Sequence, residues 1–468
     1  MPFNKITAAD ISFFKSVIKE KYVLVDEENL NRCASDQTED LHYLPEIVLQ
    51  PCTTEEVSNI MKYCNEHTIP VTPRGAGTGL SGGALATFGG VSLDMKRFNK
   101  ILHVDKRNFQ VTTEPGVITQ ELQEHLKAEG LFYPPDPASK GSCFIGGNVS
   151  ENSGGPRAVK YGVVKDYVLN LEIVLPNGEI IWTGANVLKN ATGYNLTQLL
   201  VGSEGTLGVI TKIVLRLIPA VKYDLLLLVP FRSPVEACAA VNAIFLAGYT
   251  PSALEFMERD ALEWSMRFVQ STGIHLPDDI AAHLLIEVDG NHMDELYRDA
   301  EAISQIVQQY NTDEILFAES HEQKQMLWTL RRKVGEAVKS HSVYKEEDTV
   351  VPRAELPELL KFVKELGKEY GFSSVCYGHV GDGNLHVNIV KGAMSDDDWK
   401  TKLPHGIRKL FKEVVRMGGT LSGEHGIGLV QKEFMDIAFS DVQLLLMKQI
   451  KYVFDPKDIL NPGKIFMS

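Results

Sequence analysis

Hydrophobic residues recur at helical and strand-like spacing through the first half of the chain. Residues 6–20 carry apolar side chains three to four positions apart, which predicts an amphipathic helix. A second helix is predicted from Thr53, because a threonine N-cap and two glutamates precede apolar positions at the same spacing. Short apolar runs between turn residues predict strands at 69–73, 91–95, 110–114, 169–175, 180–183 and 208–217. The chain to about Pro219 is therefore predicted to be α+β.

Strand and helix patterns continue through the second half. Apolar runs predict strands at 225–231 and 283–289, and helical spacing predicts helices at 235–247, 294–309, 321–340 and 355–370. This alternation predicts a second α+β domain of roughly two hundred residues. A glycine-rich reversal at 381–384 lies between two short apolar runs and predicts a β-hairpin.

Composition narrows the functional classes. The 468 residues are 44% hydrophobic and 23% charged, as in ordinary soluble globular proteins. The net charge of −14 argues against nucleic-acid binding, although a local cationic pocket could still hold a small anion. We see neither a signal peptide nor an apolar run long enough to cross a membrane. The six cysteines form no CxxC pair, which predicts reduced cytoplasmic thiols and no iron–sulfur cluster on this chain.

The predicted hairpin carries candidate metal ligands. His379 and His386 would lie on its two strands near the turn, with Asn388 on the same face as His386. With Glu424 they provide three nitrogen and oxygen ligands and leave coordination positions open for substrate. His425, beside the last ligand, is a candidate base. The alternative is a pair of turn histidines held by hydrogen bonds.

Three glycine-rich loops occur in the first half, at 73–83, 141–155 and 201–208. Glycine lets consecutive backbone N–H groups point into one concavity, where a phosphate can approach closely. The first loop is not a Walker loop, because no Gly-Lys-Ser/Thr follows, and it also misses the Rossmann fingerprint. A flexible surface loop is the alternative for any one of them, but three together favour an extended dinucleotide.

A buried cation is predicted in the helix that contains Arg331 and Arg332. Arg332 has Glu336 four residues on, a solvated pair of small energetic value. Arg331 has only apolar residues and glycine at helical spacing, so its guanidinium needs an anion from elsewhere, and a carboxylate fits it well. The alternative is an arginine whose head group extends to solvent.

Together these motifs resemble the FAD-linked oxidases of the vanillyl-alcohol oxidase / p-cresol methylhydroxylase superfamily, from about Glu46 to Lys464. The similar branch oxidises D-2-hydroxy acids and includes D-lactate dehydrogenase, D-2-hydroxyglutarate dehydrogenase and the flavin subunit of glycolate oxidase. The resemblance implies an α+β fold with a two-subdomain FAD-binding domain of the PCMH type at 1–220. It also implies an α/β cap domain with an antiparallel sheet at 221–420, and a segment at 421–468 that returns to the FAD-binding domain.

The resemblance also implies which residues bind FAD. The first loop would hold the pyrophosphate, and residues from the later loops and the tail would lie along the cofactor. The implied set is Arg74, Gly75, Ala76, Gly77, Thr78, Gly79, Leu80, Ser81, Pro135, Asp136, Pro137, Gly141, Ser142, Gly146, Asn148, Ser150, Gly205, Ile210 and Asn461. The first loop contains neither histidine nor cysteine, so FAD is expected to be bound non-covalently.

The same resemblance implies a substrate site. Arg331 and Lys345 would bind the substrate carboxylate, and Asn388 would orient substrate or flavin. The metal would polarise the 2-hydroxyl, His425 would take its proton, and the C2 hydrogen would leave as hydride to flavin N5. Gly335 stands where hydroxyglutarate-type relatives carry a threonine, which favours a smaller acid such as D-lactate or glycolate.

Several alternatives remain open at this point. Within the fold, they are a D-2-hydroxyglutarate dehydrogenase and a flavin-dependent alkyl transferase of the alkyldihydroxyacetonephosphate synthase type. Outside it, they are a metallohydrolase and a non-catalytic oxidase subunit. Zinc fits the ligands, as do manganese and iron. A quinone, an electron-transfer flavoprotein or an iron–sulfur subunit could accept the electrons, and a homodimer is common among such enzymes. The expected location is the cytoplasm, either free or at the inner membrane through a partner.

Overall fold

Two units make up the described part of the chain, which is residues 3–270 and 274–467 of the computed structural model. The first unit contains the chain up to Gly154, the segment Val163–Ala220 and the tail from Glu424 onward. The second unit contains the short segment Gly155–Gly162 and the long segment Val221–Gly423.

The first unit is built on three sheets. In the four-stranded sheet the order is Val23–Leu24, Ile47–Leu49, Val91–Asp94, Val71–Arg74, and the last three strands are mutually parallel. The five-stranded antiparallel sheet has the order Ile101–Asp105, Gln110–Thr113, Val209–Arg216, Val168–Val174, Ile180–Trp182. Leu131–Phe132 and Ile218–Pro219 form a two-stranded sheet. All residues of the two central parallel strands are buried, and Ile47–Leu49 is accordingly wholly apolar, whereas Val91–Asp94 also carries Ser92 and Asp94.

One helix of the first unit begins at the capping residue that the sequence predicted. Thr53 accepts a hydrogen bond from the Glu56 N–H, and the helix behind it buries Val57, Ile60, Met61 and Cys64. The helix predicted at 6–20 is shorter and begins after the N-cap Thr7. The helices of this unit are Ala8–Val17, Glu27–Cys33, Thr54–His67, Thr119–Ala128, Ile145–Glu151, Leu196–Leu200, Met435–Ala438 and Asp441–Phe454.

A seven-stranded antiparallel sheet forms the second unit, which confirms the predicted fold class. Its order is Leu316–Ala318, Tyr223–Phe231, Ala282–Gly290, Ala253–Glu258, Ser373–Gly378, Asn384–Val390, Tyr344–Val350. The predicted hairpin is confirmed, because Ser373–Gly378 and Asn384–Val390 pair across the glycine-rich turn.

Nine helices flank this sheet in the described residues of the second unit. They are Ala158–Tyr161, Pro234–Leu246, Arg259–Phe268, Met293–Val307, His321–Arg332, Val334–His341, Leu356–Tyr370, Asp396–Thr401 and Leu403–Arg416. The single helix predicted at 321–340 is wrong, because it is broken at Lys333, whose ψ of 1° departs from helical geometry.

The strand Ala253–Glu258 was not predicted. All six of its residues are buried, and two of them, Glu255 and Glu258, are glutamates. Buried acids hide the apolar pattern from which strands are recognised. This strand lies at the centre of the sheet and, as shown below, supplies a central group of the candidate site.

Within the described residues, no helix combines the length and apolarity needed to cross a bilayer. All six cysteines are free thiols.

Candidate active site

A cavity in the first unit is lined by residues of all three glycine loops. Most of the first loop lines it, together with five residues of the helix Ile145–Glu151. The implied FAD-binding residues that line this cavity are Arg74, Gly75, Ala76, Gly77, Thr78, Gly79, Leu80, Pro137, Gly146, Asn148, Ser150, Gly205 and Ile210. Three loops that are far apart in sequence therefore meet at one concave site, as an extended cofactor requires.

Arg74 shapes the first loop from inside. Its guanidinium donates to the backbone carbonyls of Arg32, Cys33, Ser35 and Ala84, at distances of 2.7 to 3.5 Å. A Cβ on Gly77, whose φ is +73°, would lie only 2.3 Å from Arg74 Nη2. The loop therefore needs glycine at this position, and Arg74 holds the loop in shape through these bonds to the backbone.

Some implied FAD residues do not line the cavity. They are Ser81, Pro135, Asp136, Gly141, Ser142 and Asn461. Ser81 is buried behind the loop, where its carbonyl accepts from the Leu429 N–H, and Gly141 and Ser142 are exposed. Asn461 supports the loops instead, because its Nδ2 donates to the carbonyls of Gly83 and Glu204.

Two acids beside the cavity were not predicted. Glu204 accepts from the backbone N–H groups of Ile427 and Gly428 at 2.8 and 2.7 Å. Glu151 Oε2 is shielded from solvent and has no hydrogen-bond partner among the described residues. Burial raises the pKa of Glu151 well above its ordinary value, and the charges of Glu204 and Asp36 raise it further. Burial also raises the pKa of Glu204. Acids inside glycine loops resemble solvated residues in sequence, which is why this pair was missed.

Glu424 and His425 begin the tail segment of the first unit, and both line the same cavity as the glycine loops. The Gly154 N–H donates to Glu424 Oε2 at 3.1 Å, which ties the second glycine loop to this carboxylate. The predicted metal ligand and the predicted base therefore lie at the wall of the cavity that has the features of a flavin site. Cys143 also lines the cavity, so His425 and Cys143 are possible attachment points outside the first loop, and non-covalent binding stays a prediction.

In the second unit, a buried carboxylate joins two of the predicted site residues. Glu255 is fully buried, and its carboxylate lies 2.6 Å from Arg331 Nη2 and 2.8 and 2.9 Å from His379 Nδ1. Burial alone would raise the pKa of Glu255, but the Arg331 guanidinium and His379 outweigh it and leave that pKa below its ordinary value. Glu255, which lies in another strand, is therefore one anion that meets the predicted need of Arg331.

Glu255 also fixes the orientation of His379. A carboxylate beside Nδ1 favours the tautomer with hydrogen on Nδ1, which leaves the Nε2 lone pair for a metal. The His379 and His386 rings are 5.4 Å apart between centroids, and their nitrogens approach within 4.8 Å. Both rings are almost completely buried. The hairpin therefore presents two close imidazoles.

Strand register decides which other side chains face His386. Pairing of Tyr344–Val350 with Asn384–Val390 places Glu346 opposite Asn388 and Asp348 opposite His386. Because side chains alternate along a strand, these four share one face. Lys345 is paired with Ile389 and lies on the other face, where it is exposed. The prediction that Lys345 joins Arg331 at the substrate carboxylate is therefore not supported by the structure, because the strand turns Glu346 to that face instead.

Three carboxylates lie around the two imidazoles. Glu255 and Asp348 are fully buried, and the Glu346 side chain is 9% exposed. Glu255 is paired with Arg331, and Asp348 accepts hydrogen bonds from Asn384 Nδ2, Ser422 Oγ and the Gly423 N–H. The two close imidazoles are nitrogen donors of the kind that bind divalent transition metals, so the residues present fit a metal.

Two family profiles match the chain. The profile described as "FAD binding domain" matches residues 45–184, and that described as "FAD linked oxidases, C-terminal domain" matches residues 222–465. The chain belongs to the FAD-linked oxidase family. It is accordingly an oxidoreductase that binds FAD.

Curated relatives match the chain over almost its whole length. It is 38% identical to a "D-lactate dehydrogenase" of Anaerostipes hadrus, which covers 99% of this chain and 98% of the relative. It is 37% identical to "Glycolate oxidase subunit GlcD" of Bacillus subtilis (strain 168), with 96% of each chain covered. A "D-2-hydroxyglutarate dehydrogenase" of Stutzerimonas stutzeri (strain A1501) is 32% identical, with 97% of this chain and 98% of the relative covered.

Solved structures confirm the fold. A p-cresol methylhydroxylase with bound substrate matches with a TM-score of 0.80 and 18% identity, over 99% of this chain and 98% of that one. An alkyldihydroxyacetonephosphate synthase matches with a TM-score of 0.73 and 18% identity, over 99% of this chain and 86% of that one. The predicted vanillyl-alcohol oxidase / p-cresol methylhydroxylase fold is thus confirmed.

Proposed function

We propose that this protein oxidises a small D-2-hydroxy acid, D-lactate or glycolate, to the 2-oxo acid, using FAD and a divalent metal. The observation that carries the proposal is that Glu424 and His425 line the cavity formed by the glycine loops. A candidate ligand and a candidate base are therefore adjacent to the proposed flavin site.

The proposed metal ligands are His379, His386 and Glu424. The support for this set within the second unit is the close pair of imidazoles and the Glu255 carboxylate on His379 Nδ1. Zinc is the metal we propose, with manganese or iron as alternatives that suit the same ligands.

Arg331 is proposed to bind the substrate carboxylate. Its guanidinium has five donors, and Glu255 contacts it at Nη2. Nε makes no hydrogen bond within the described residues, and the side chain is only 4% exposed. A buried donor without an acceptor is costly, so an incoming carboxylate would be stabilised there. Fully buried Asn388, which lies beside Tyr377 on the same face, is proposed to orient the substrate.

His425 is proposed to take the proton of the substrate's 2-hydroxyl. FAD, when bound, would supply the two-electron acceptor for the C2 hydrogen, and a metal held by His379, His386 and Glu424 would supply a Lewis acid. The oxidation balances on that basis, because His425 would take the 2-hydroxyl proton and the cofactor would take up the C2 hydrogen with two electrons. Binding of FAD is proposed to be non-covalent.

The electrons are proposed to leave through a separate acceptor, which could be a quinone, an electron-transfer flavoprotein or an iron–sulfur subunit. A relative named as a subunit of glycolate oxidase supports a partner chain. A homodimer is proposed as the oligomeric state by analogy with such enzymes, and the cytoplasm as the location, with peripheral attachment to the inner membrane through a partner.

The direct test is anaerobic mixing of the purified, flavin-loaded protein with D-lactate, L-lactate, glycolate and D-2-hydroxyglutarate. We expect D-lactate or glycolate to bleach the flavin absorbance and L-lactate to leave it unchanged. Faster bleaching by D-2-hydroxyglutarate would favour the function named for the Stutzerimonas relative. A flavin that none of the four acids bleaches would contradict the proposal and leave the alkyl-transferase alternative.

A further inference from the structure

Tyr377 links the proposed carboxylate site to an acid in the second unit. The Arg331 guanidinium carbon lies 5.0 Å from the centre of the Tyr377 ring, and the Tyr377 hydroxyl donates to Glu346 Oε1 at 3.1 Å. Tyr377 is 5% exposed. The phenol is therefore held between a cation and a carboxylate, and it cannot swing aside without losing both contacts.

The same hydroxyl occupies the space beside Gly335. A Cβ on Gly335 would lie 3.1 Å from the Tyr377 oxygen, which is tighter than ordinary van der Waals contact. Any larger side chain at this position requires the Tyr377 hydroxyl to move. The Tyr377 hydroxyl thus fills the space beside Gly335.

Glu346 brings a negative charge to the face that carries the proposed substrate groups. It lies opposite Asn388 in the strand register, and its carboxylate is 3.4 Å from His386 Nδ1. Its side chain is 9% exposed, so water screens it poorly. A second carboxylate on the substrate would meet this charge instead of a cation.

We propose that Glu346, held in place by Tyr377, selects monocarboxylate 2-hydroxy acids and rejects those with a second carboxylate at the far end. This inference rests on the proposed function and extends it from the reaction to the class of substrate. The rejection is electrostatic, so it depends on the charge of the distal group and not on its size.

Charge and size can be separated with a pair of isosteric substrates. D-malate and its 4-amide have the same length and shape, but only D-malate has a distal charge. We expect the wild-type enzyme to oxidise the 4-amide with a kcat/KM at least about tenfold higher than that for D-malate, since like charges a few ångströms apart repel strongly at an effective dielectric of about 20. The kcat/KM for D-lactate is the reference for both D-malate and its 4-amide.

Glu346→Gln removes the charge and keeps the shape, so the preference for the amide over the diacid should fall to about twofold or less. Glu336→Gln is the matched control, because Glu336 is exposed and paired with Lys333, and it should keep the wild-type preference. The same comparison is made for binding by calorimetry, using 2-oxoglutarate and its 5-amide as product-like ligands. The wild-type measurements do not depend on whether the variant folds.

An equal kcat/KM for D-malate and its 4-amide, in an enzyme that oxidises D-lactate, would overturn this inference alone. A preference that persists in folded Glu346→Gln would also overturn it, because the charge would then have another source. Failure of every hydroxy acid to reduce the flavin would overturn the proposed function and this inference with it.

Discussion

Replacing Glu255 with glutamine tests whether the buried carboxylate organises the metal site. In the wild type, one carboxylate contacts both Arg331 Nη2 and His379 Nδ1 at hydrogen-bonding distance. Glutamine has the same shape but no charge, and its amide oxygen can serve only part of this arrangement. Glu255→Gln therefore leaves the Arg331 guanidinium without its buried counter-ion and removes the anchor of the His379 tautomer.

Two magnitudes follow from this geometry. Removing one partner of a buried ion pair typically costs about 3–5 kcal/mol of folding stability, because the remaining charge is uncompensated. Loss of the carboxylate that orients a metal-binding histidine typically weakens metal affinity about 10–100-fold. The first effect concerns any buried pair, whereas the second concerns only a carboxylate that supports a ligand.

Glu258→Gln is a matched control for this distinction. Glu258 lies in the same strand, Ala253–Glu258, and its buried carboxylate is 2.7 Å from Lys364 Nζ, but it contacts no proposed ligand. Both variants should unfold at lower denaturant concentration than the wild type. Only Glu255→Gln should bind zinc more weakly when chelated protein is titrated in a calorimeter. Equal zinc affinity in the two variants, both shown to be folded, would refute the role assigned to Glu255.

Further predictions concern the flavin unit and the proposed base. His425→Ala should lower kcat on the order of 10²–10⁴-fold. His405→Ala, at an exposed helical site, is the control and should leave kcat unchanged. Flavin reduction by His425→Ala at the wild-type rate would exclude His425 as the base. Because the folded pKa of Glu151 lies above that of the unfolded chain, stability from its protonation is complete below about pH 4.5 and is lost as pH rises toward the folded pKa. Glu151→Gln mimics the protonated acid, so the Tm of this variant should exceed that of the wild type by more at pH 8 than at pH 5. An equal difference in Tm at both pH values would contradict the raised pKa of Glu151. Gly428→Ala places a Cβ 2.2 Å from the backbone carbonyl oxygen of Ser81, at the end of the first glycine loop, and should weaken FAD binding measured by fluorescence. Gly130→Ala is the control, because Gly130 also has a positive φ but open space around it. Acid precipitation should release FAD into the supernatant, and a coloured pellet would show covalent attachment.

Local features of the fold were predictable because they depend on neighbouring residues. The helix behind Thr53 has its cap and its apolar face within a few turns, and the hairpin before His386 has its reversal in four residues. The glycine loops were recognisable for the same reason, since each is a continuous segment.

Features that depend on register or on distant residues were not predictable. Glu255 is separated from His379 by 124 positions, so nothing in the sequence near either residue indicates their contact. Lys345 and Glu346 are adjacent, and only the pairing with Asn384–Val390 determines which of them faces His386. A shift of one residue reverses the face of every side chain in a strand, so the sequence alone does not decide whether Lys345 or Glu346 faces His386.

The most direct test of the account is reduction of the bound flavin by D-lactate, under anaerobic conditions, before and after complete removal of divalent metal. We predict rapid bleaching of the metal-loaded protein, loss of bleaching after chelation with FAD still bound, and recovery when zinc is restored. Unchanged bleaching by protein shown to be free of metal would contradict the proposed role of His379, His386 and Glu424.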